Sequence, residues 1–145
     1  MLVLAVVGMY WWVQPERQVR RAQGRLFSAL ESRDFEAMAG LIAGDYVDRW
    51  QHDKAFVVRE CQTVFGQFLT LSIERSDPRA EMGAGFWNVR ERVKLKGFGG
   101  PLAMFARDEV NALREPFTMT WRKRGWMFSD WELTSVNHPD LTLPR

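Results

Sequence analysis

One cysteine, two histidines and two tyrosines are all that 145 residues hold of the side chains that most often carry redox, metal or proton-transfer chemistry. The single Cys61 excludes an internal disulfide and leaves the redox compartment undecided. It falls on the apolar side of a helical pattern, where a buried inert thiol is expected rather than a nucleophile. Asp45, Asp48 and His52 do not reproduce a recognised ligand spacing, and the other histidine, His138, is far away in sequence, so no metal is expected. Cofactor and nucleotide motifs are missing as well, and no cofactor is expected. A formal net charge of +2 is too weak a field to argue for nucleic acid. Internal repeats, low-complexity tracts and interdomain linkers are absent, which points to one domain with one core.

What the chain does have is apolar bulk. Hydrophobic residues at 46% against 26% charged, with seven Trp and ten Phe, exclude intrinsic disorder and predict a core rich in large aromatics. The first apolar run, Leu2–Val13, has twelve residues and ends in Tyr10, Trp11 and Trp12, residue types that favour the membrane interface. Twelve is short of the roughly 20 residues of a spanning helix. No basic segment precedes the run and no small-residue cleavage site follows it. The reading is an uncleaved membrane anchor over residues 1–14, with a true start further upstream. Arg17, Arg20, Arg21 and Arg25 flank the run and, taken alone, would hold the domain in the cytoplasm. The domain is nevertheless expected to be extracytoplasmic.

Three helical patterns follow. Pro15 suits a first helical position, and Val19, Ala22, Leu26, Ala29 and Leu30 recur at helical steps over residues 15–32. Asp34 is a natural N-cap for a short helix with Phe35, Met38, Leu41 and Ile42 inside, closed near Gly44. Asp53 caps a third, whose apolar side carries Phe56, Val57, Cys61, Val64, Phe65 and Phe68. From Thr70 the period becomes two. Leu71 and Ile73 lead to a turn at Ser76, Asp77 and Pro78. In FWNVRERVKLK, Trp87, Val89, Val93 and Leu95 share one face and Arg90, Arg92, Lys94 and Lys96 the other. A strand is expected over 104–110, then a closing hairpin: Phe117, Met119 and Trp121 alternate with polar residues, a turn at 123–125 reverses the chain, and 126–136 returns. Residues 138–145 read as an irregular tail. The class is therefore α+β, with three helices packed on a strongly curved antiparallel sheet.

Two passages, "ALESRDFEAMAGLIAGDYV" and the hairpin "FTMTWRKRGWMFSDWEL", make residues 15–137 similar to the nuclear transport factor 2-like superfamily (NTF2-like or SnoaL-like, with a cystatin-like cone). The resemblance implies a cone of helices on a bent sheet. It also implies either acid–base chemistry from Asp, His and Tyr side chains inside the cone, as in isomerases, dehydratases and cyclases, or a non-catalytic binding role. Fold alone does not choose between these. Two features count against catalysis: Tyr46 is the sole tyrosine outside the apolar run, and the middle of the first domain helix presents Leu26, Phe27 and Leu30.

Glu91 has the parity of Trp87, Val89, Val93 and Leu95. It is a candidate pocket carboxylate, acting as a base if desolvated, or else accounted for by a bulge, an edge position or an inward Arg. Tyr46 and His52, in GDYVDRWQHD, are candidate ligand contacts near the cone mouth, or else solvated loop residues beside the cap Asp53. Trp87 and Trp121 complete the candidate pocket. Arg90, Arg92, Lys94 and Lys96 form a cationic strand face, expected to be solvated and balanced by acidic neighbours or to meet an anionic partner. The leading expectation is a non-catalytic tethered domain binding a partner protein or small apolar ligand, with homodimerisation through the sheet face. A cone-pocket enzyme using Glu91 and a scaffold of an envelope or secretion assembly are the alternatives.

Overall fold

A computed structural model describes residues 1–141, with residues 11–13 described by backbone alone. The apolar periodicities fold into α1 (Leu2–Val13), α2 (Pro15–Glu31), α3 (Phe35–Leu41), α4 (Lys54–Phe65), β1 (Phe68–Met82), β2 (Trp87–Gly99), α5 (Pro101–Ala112), β3 (Phe117–Lys123) and β4 (Trp131–Asn137). The strands form one antiparallel meander in the order β1-β2-β3-β4. Helix α2 supplies the other half of the core. Its buried side, Val19, Ala22, Leu26, Phe27 and Ala29, joins Ile73, Val89, Leu95, Met119, Trp121, Trp131 and Leu133 in a single cluster. Both expected caps are in place: the Asp34 carboxylate accepts from the Ala37 N–H (3.1 Å) and that of Asp53 from the Phe56 N–H (2.9 Å). Helix α3 stops at Leu41, short of Gly44, because the next residues run along the outer edge of β4. There Ala43 N–H donates to the Leu133 carbonyl (2.9 Å) and Val47 N–H to that of Thr134 (3.2 Å), covering the sheet edge.

The structure corrects the expected anchor. Helix α1 has 12 residues, about 18 Å of helix against a hydrocarbon core of about 30 Å. Among the described residues no helix is long and apolar enough to cross a membrane. The membrane association through residues 2–13 and the extracytoplasmic placing derived from it lose their basis. The side chains of Trp11 and Trp12, part of the interfacial reading, lie outside the described residues.

Three further departures have local causes. Residues 104–110 are helical: Pro101 sits in the first turn of α5, Ala103, Met104 and Val110 lie at helical spacing toward the sheet, and Ala106, Arg107 and Glu109 between them are good helix formers. At Ser76, Asp77 and Pro78 the strand does not turn but bulges. The register passes from Ser76↔Arg92 to Arg79↔Arg90, one extra residue on β1. Asp77 absorbs it at φ 53, and Pro78 brings no N–H to leave unpaired. The closing hairpin has a longer connection than expected, and β4 begins at Trp131. The Arg124 N–H donates to the Asp130 carbonyl (2.7 Å) and the Met127 N–H to the Asp130 carboxylate (3.2 Å), so Trp126 is left exposed in the loop. The tail is irregular over 138–141, and the rest of it lies outside the described residues.

Candidate functional site

Glu91 points into the core, as its parity predicts, and is 1% exposed. A buried carboxylate is tolerated only with a partner, and Arg75 on β1 provides one. Its Nε lies 2.9 and 2.8 Å from Oε1 and Oε2, and its Nη2 lies 2.7 Å from Oε1. Gln23 of α2 adds a donor to Oε1 (3.3 Å), while its own Oε1 accepts from the indole N–H of Trp121 (3.0 Å). The Arg75 guanidinium also lies over the Phe27 ring, 4.9 Å from its centroid. One polar relay thus runs Trp121–Gln23–Glu91–Arg75, linking β3, α2, β2 and β1. Buried at 1% exposure behind these donors, Glu91 is poorly placed to reach a proton on a substrate. Trp121, 0% exposed, belongs to this relay, and half-buried Trp87 is its register partner.

Tyr46 and His52 form a separate constellation, and neither is a solvated loop residue. Both are buried around Asp48. Its Oδ1 accepts from the backbone N–H groups of Trp50 (2.9 Å) and His52 (3.0 Å), and its Oδ2 accepts from the Tyr46 hydroxyl (3.1 Å), with His52 Nδ1 at 3.6 Å. The His52 ring stacks on Phe56 with centroids 4.0 Å apart. Burial first, and the Asp48 carboxylate second, hold the Tyr46 phenol well above its usual range, so it stays a neutral donor. This arrangement fixes the loop between α3 and α4. Glu91 belongs to the other constellation, bonded to Arg75 and Gln23.

The cationic strand face is exposed at Arg90, Arg92, Lys94 and Lys96. Lys96 is balanced by Glu74 at 2.6 Å. Arg92 and Lys94 instead donate to neutral carbonyls, those of Arg114 and Asn111 respectively, the latter at 3.3 Å. Arg90 has Arg79 opposite it across the strands.

A cleft opens beside these residues for a topological reason. Strand β3 pairs with β2 only over residues 87–91. Further along, α5 takes over the edge: the Asn111 side chain accepts from the Leu95 N–H (2.7 Å) and donates to the Leu95 carbonyl (2.8 Å), mimicking a neighbouring strand. Between these two attachments the side of β2 at 92–94 that faces away from β1 has no strand beside it among the described residues. A cavity of about 780 Å³ lies there, bounded by 74–76 of β1, 92–94 of β2 and the stretch 111–117. His138 steadies its far wall. The buried ring accepts from the Asp140 N–H at Nδ1 (3.0 Å) and lies 2.7 Å from the Glu115 carbonyl at Nε2, so the proton resides on Nε2. A shallower hollow of about 520 Å³ between α3 and α4 includes Asp53, whose carboxylate is used as a cap. No group of three His, Cys, Asp or Glu fit for a metal occurs among the described residues.

No family model matches the sequence, and no curated protein matches it significantly. Solved structures do match. A protein of the NTF2-like family from Streptomyces avermitilis, provisionally named a dehydratase, aligns with a TM-score of 0.62 at 18% identity over 83% of this chain and 91% of that one. The chain has the NTF2-like fold. An NTF2-like protein of unknown function from Pseudomonas putida gives 0.60 at 13% identity, with 83% and 82% covered. Bd1075 from Bdellovibrio bacteriovorus gives 0.62 at 10% identity, and there this chain, 82% covered, spans only 38% of the other. At such identities the likeness concerns fold alone.

Within this NTF2-like cone the sequence left Arg75, Gln23, Asn111 and Arg114 unremarked. Two had a signal. Arg75 continues the inward parity of Leu71 and Ile73, and Gln23 lies one helical turn from Val19 on the buried stripe of α2. Asn111 had none, since its role depends on where α5 meets β2. Cys61 is half-buried, and burial, with a smaller push from Glu60, raises its thiol to about 12. Labelling by a maleimide at pH 8 is therefore expected to be on the order of 10³-fold slower than for a free thiol of pKa near 8.5. A rate near that of glutathione would contradict the burial.

Proposed function

We propose that this protein is a non-catalytic binding domain that takes a small, largely apolar ligand in the cleft between β2 and the stretch 111–117. The observation that supports this reading most is the state of Glu91. A cone enzyme needs a base within reach of substrate, whereas this carboxylate is 1% exposed and clamped by Arg75 and Gln23. Tyr46 and His52 are engaged with Asp48. The cleft, at about 780 Å³, has the size of ordinary small-molecule sites, roughly 300–1,000 Å³. Val93, Leu113 and Phe117 give it apolar wall. A homodimer through the strand face would set Arg79, Arg90 and Arg92 against their own copies, which favours the cleft over that face.

The test is a fragment screen read by amide chemical shifts on the full chain. Hits are expected to perturb residues 92–94 and 111–117 together. Hits that collect elsewhere, or turnover of any hydratable or isomerisable fragment that is lost in Glu91→Gln, would overturn the reading.

A further inference from the structure

Resting on that cleft reading, we infer that the ligand is a small organic acid, its apolar body against Val93, Leu113 and Phe117 and its carboxylate at the mouth, beside Arg92, Lys94 and Arg114. The charges around the cleft are unequal in what they do. Of its cations, Arg75 is spent on Glu91. Of its two carboxylates, that of Glu74 lies 2.6 Å from Lys96, outside the cleft. Glu74 also stands opposite Lys94 in the strand register, so Lys94 shares that carboxylate with Lys96, while Arg92 and Arg114 face Glu115.

Arg92 is, moreover, held in place with no carboxylate across the strands, where Ser76 stands, and Lys94 has only the Glu74 that Lys96 already engages. Arg92 and Lys94 each donate to a main-chain carbonyl of the opposite wall, at Arg114 and Asn111. Carbonyls orient a cation but leave its full charge, which is the arrangement that presents preorganised donors to an incoming anion. The two side chains stand two residues apart on one strand face, where like charges repel unless an anion lies between them. Arg114 is exposed next to them, and its planar fork suits a carboxylate. Apolar wall on one side and an excess of cations over carboxylates at the rim match an amphiphilic acid. They match a neutral apolar molecule less well, because it would bury cations without pairing them.

Calorimetric titration of the full chain with octanoate and with 1-octanol tests this, with Ala112→Trp, which fills the cleft from an exposed helical position, as the locating control. Octanoate is expected to bind at least about tenfold more tightly than octanol. The Trp variant should abolish its binding, and Lys94→Gln or Arg114→Gln should weaken it about tenfold without lowering the melting temperature. Equal binding of octanol and octanoate, both lost in Ala112→Trp, would overturn the acid specificity while leaving the cleft as a ligand site. Failure of both probes to bind, or binding that Ala112→Trp leaves intact, would overturn the inference and the cleft reading together.

Discussion

Arg75→Met is expected to destabilise the domain by about 3 kcal/mol, with a fall in Tm of roughly 10 °C. The substitution removes every charged partner of Glu91 and leaves a carboxylate at 1% exposure with only the Gln23 amide. The figure sits at the low end for breaking a buried pair because the Arg75 side chain is 32% exposed, so water can partly replace it. Glu91→Gln should cost less, since the neutral amide needs no counter-charge. The double variant Arg75→Met, Glu91→Leu should recover much of the loss, because an apolar pair of similar volume fills the site without desolvated charge. Urea denaturation of these variants together with the single variant Glu91→Leu checks this. Additive losses would mean that the two side chains do not act as a pair.

Trp121→Ala should be at least as damaging, at about 4 kcal/mol. The indole is 0% exposed and sits in the same cluster as Val89, Met119 and α2. Deleting such a ring costs about 3–5 kcal/mol in transfer and cavity terms, and the Gln23 carbonyl oxygen loses its donor as well. Trp121→Phe separates the two contributions. It keeps most of the volume and removes the hydrogen bond, so its loss should be about 1–2 kcal/mol. Equal losses for Ala and Phe would assign the whole effect to the hydrogen bond and contradict the packing account.

The helices α2, α3 and α4 and the strand β2 were legible because each carries its periodicity within itself, and Asp34 and Asp53 mark two starts with local chemistry, although Phe68, expected on the third helix, opens β1 after α4 ends at Phe65. What escaped depended on partners. The stretch 104–110 has both helical and strand-like residues, and the Pro101 start together with the packing of Ala103, Met104 and Val110 against the core makes it α5. Ser76, Asp77 and Pro78 have turn composition, but a facing strand on β2 turns them into a bulge. The inward direction of Glu91 was readable from parity, and its being held by Arg75 rather than free was one of the readings open to it. The cleft was not readable at all. It exists because β3 starts at Phe117 and α5 ends near Asn111, leaving a gap whose length no single segment encodes. The apolar run at the N-terminus shows the opposite error: composition suggested an anchor, and length overrules it.

Native mass spectrometry of the full chain, purified under mild conditions beside its Ala112→Trp variant, tests the central claim most directly. The claim that the cleft is a ligand site predicts a reproducible small-molecule adduct on the natural chain that is missing from the variant. A natural chain without any adduct, or an adduct that the filled cleft retains, would contradict it.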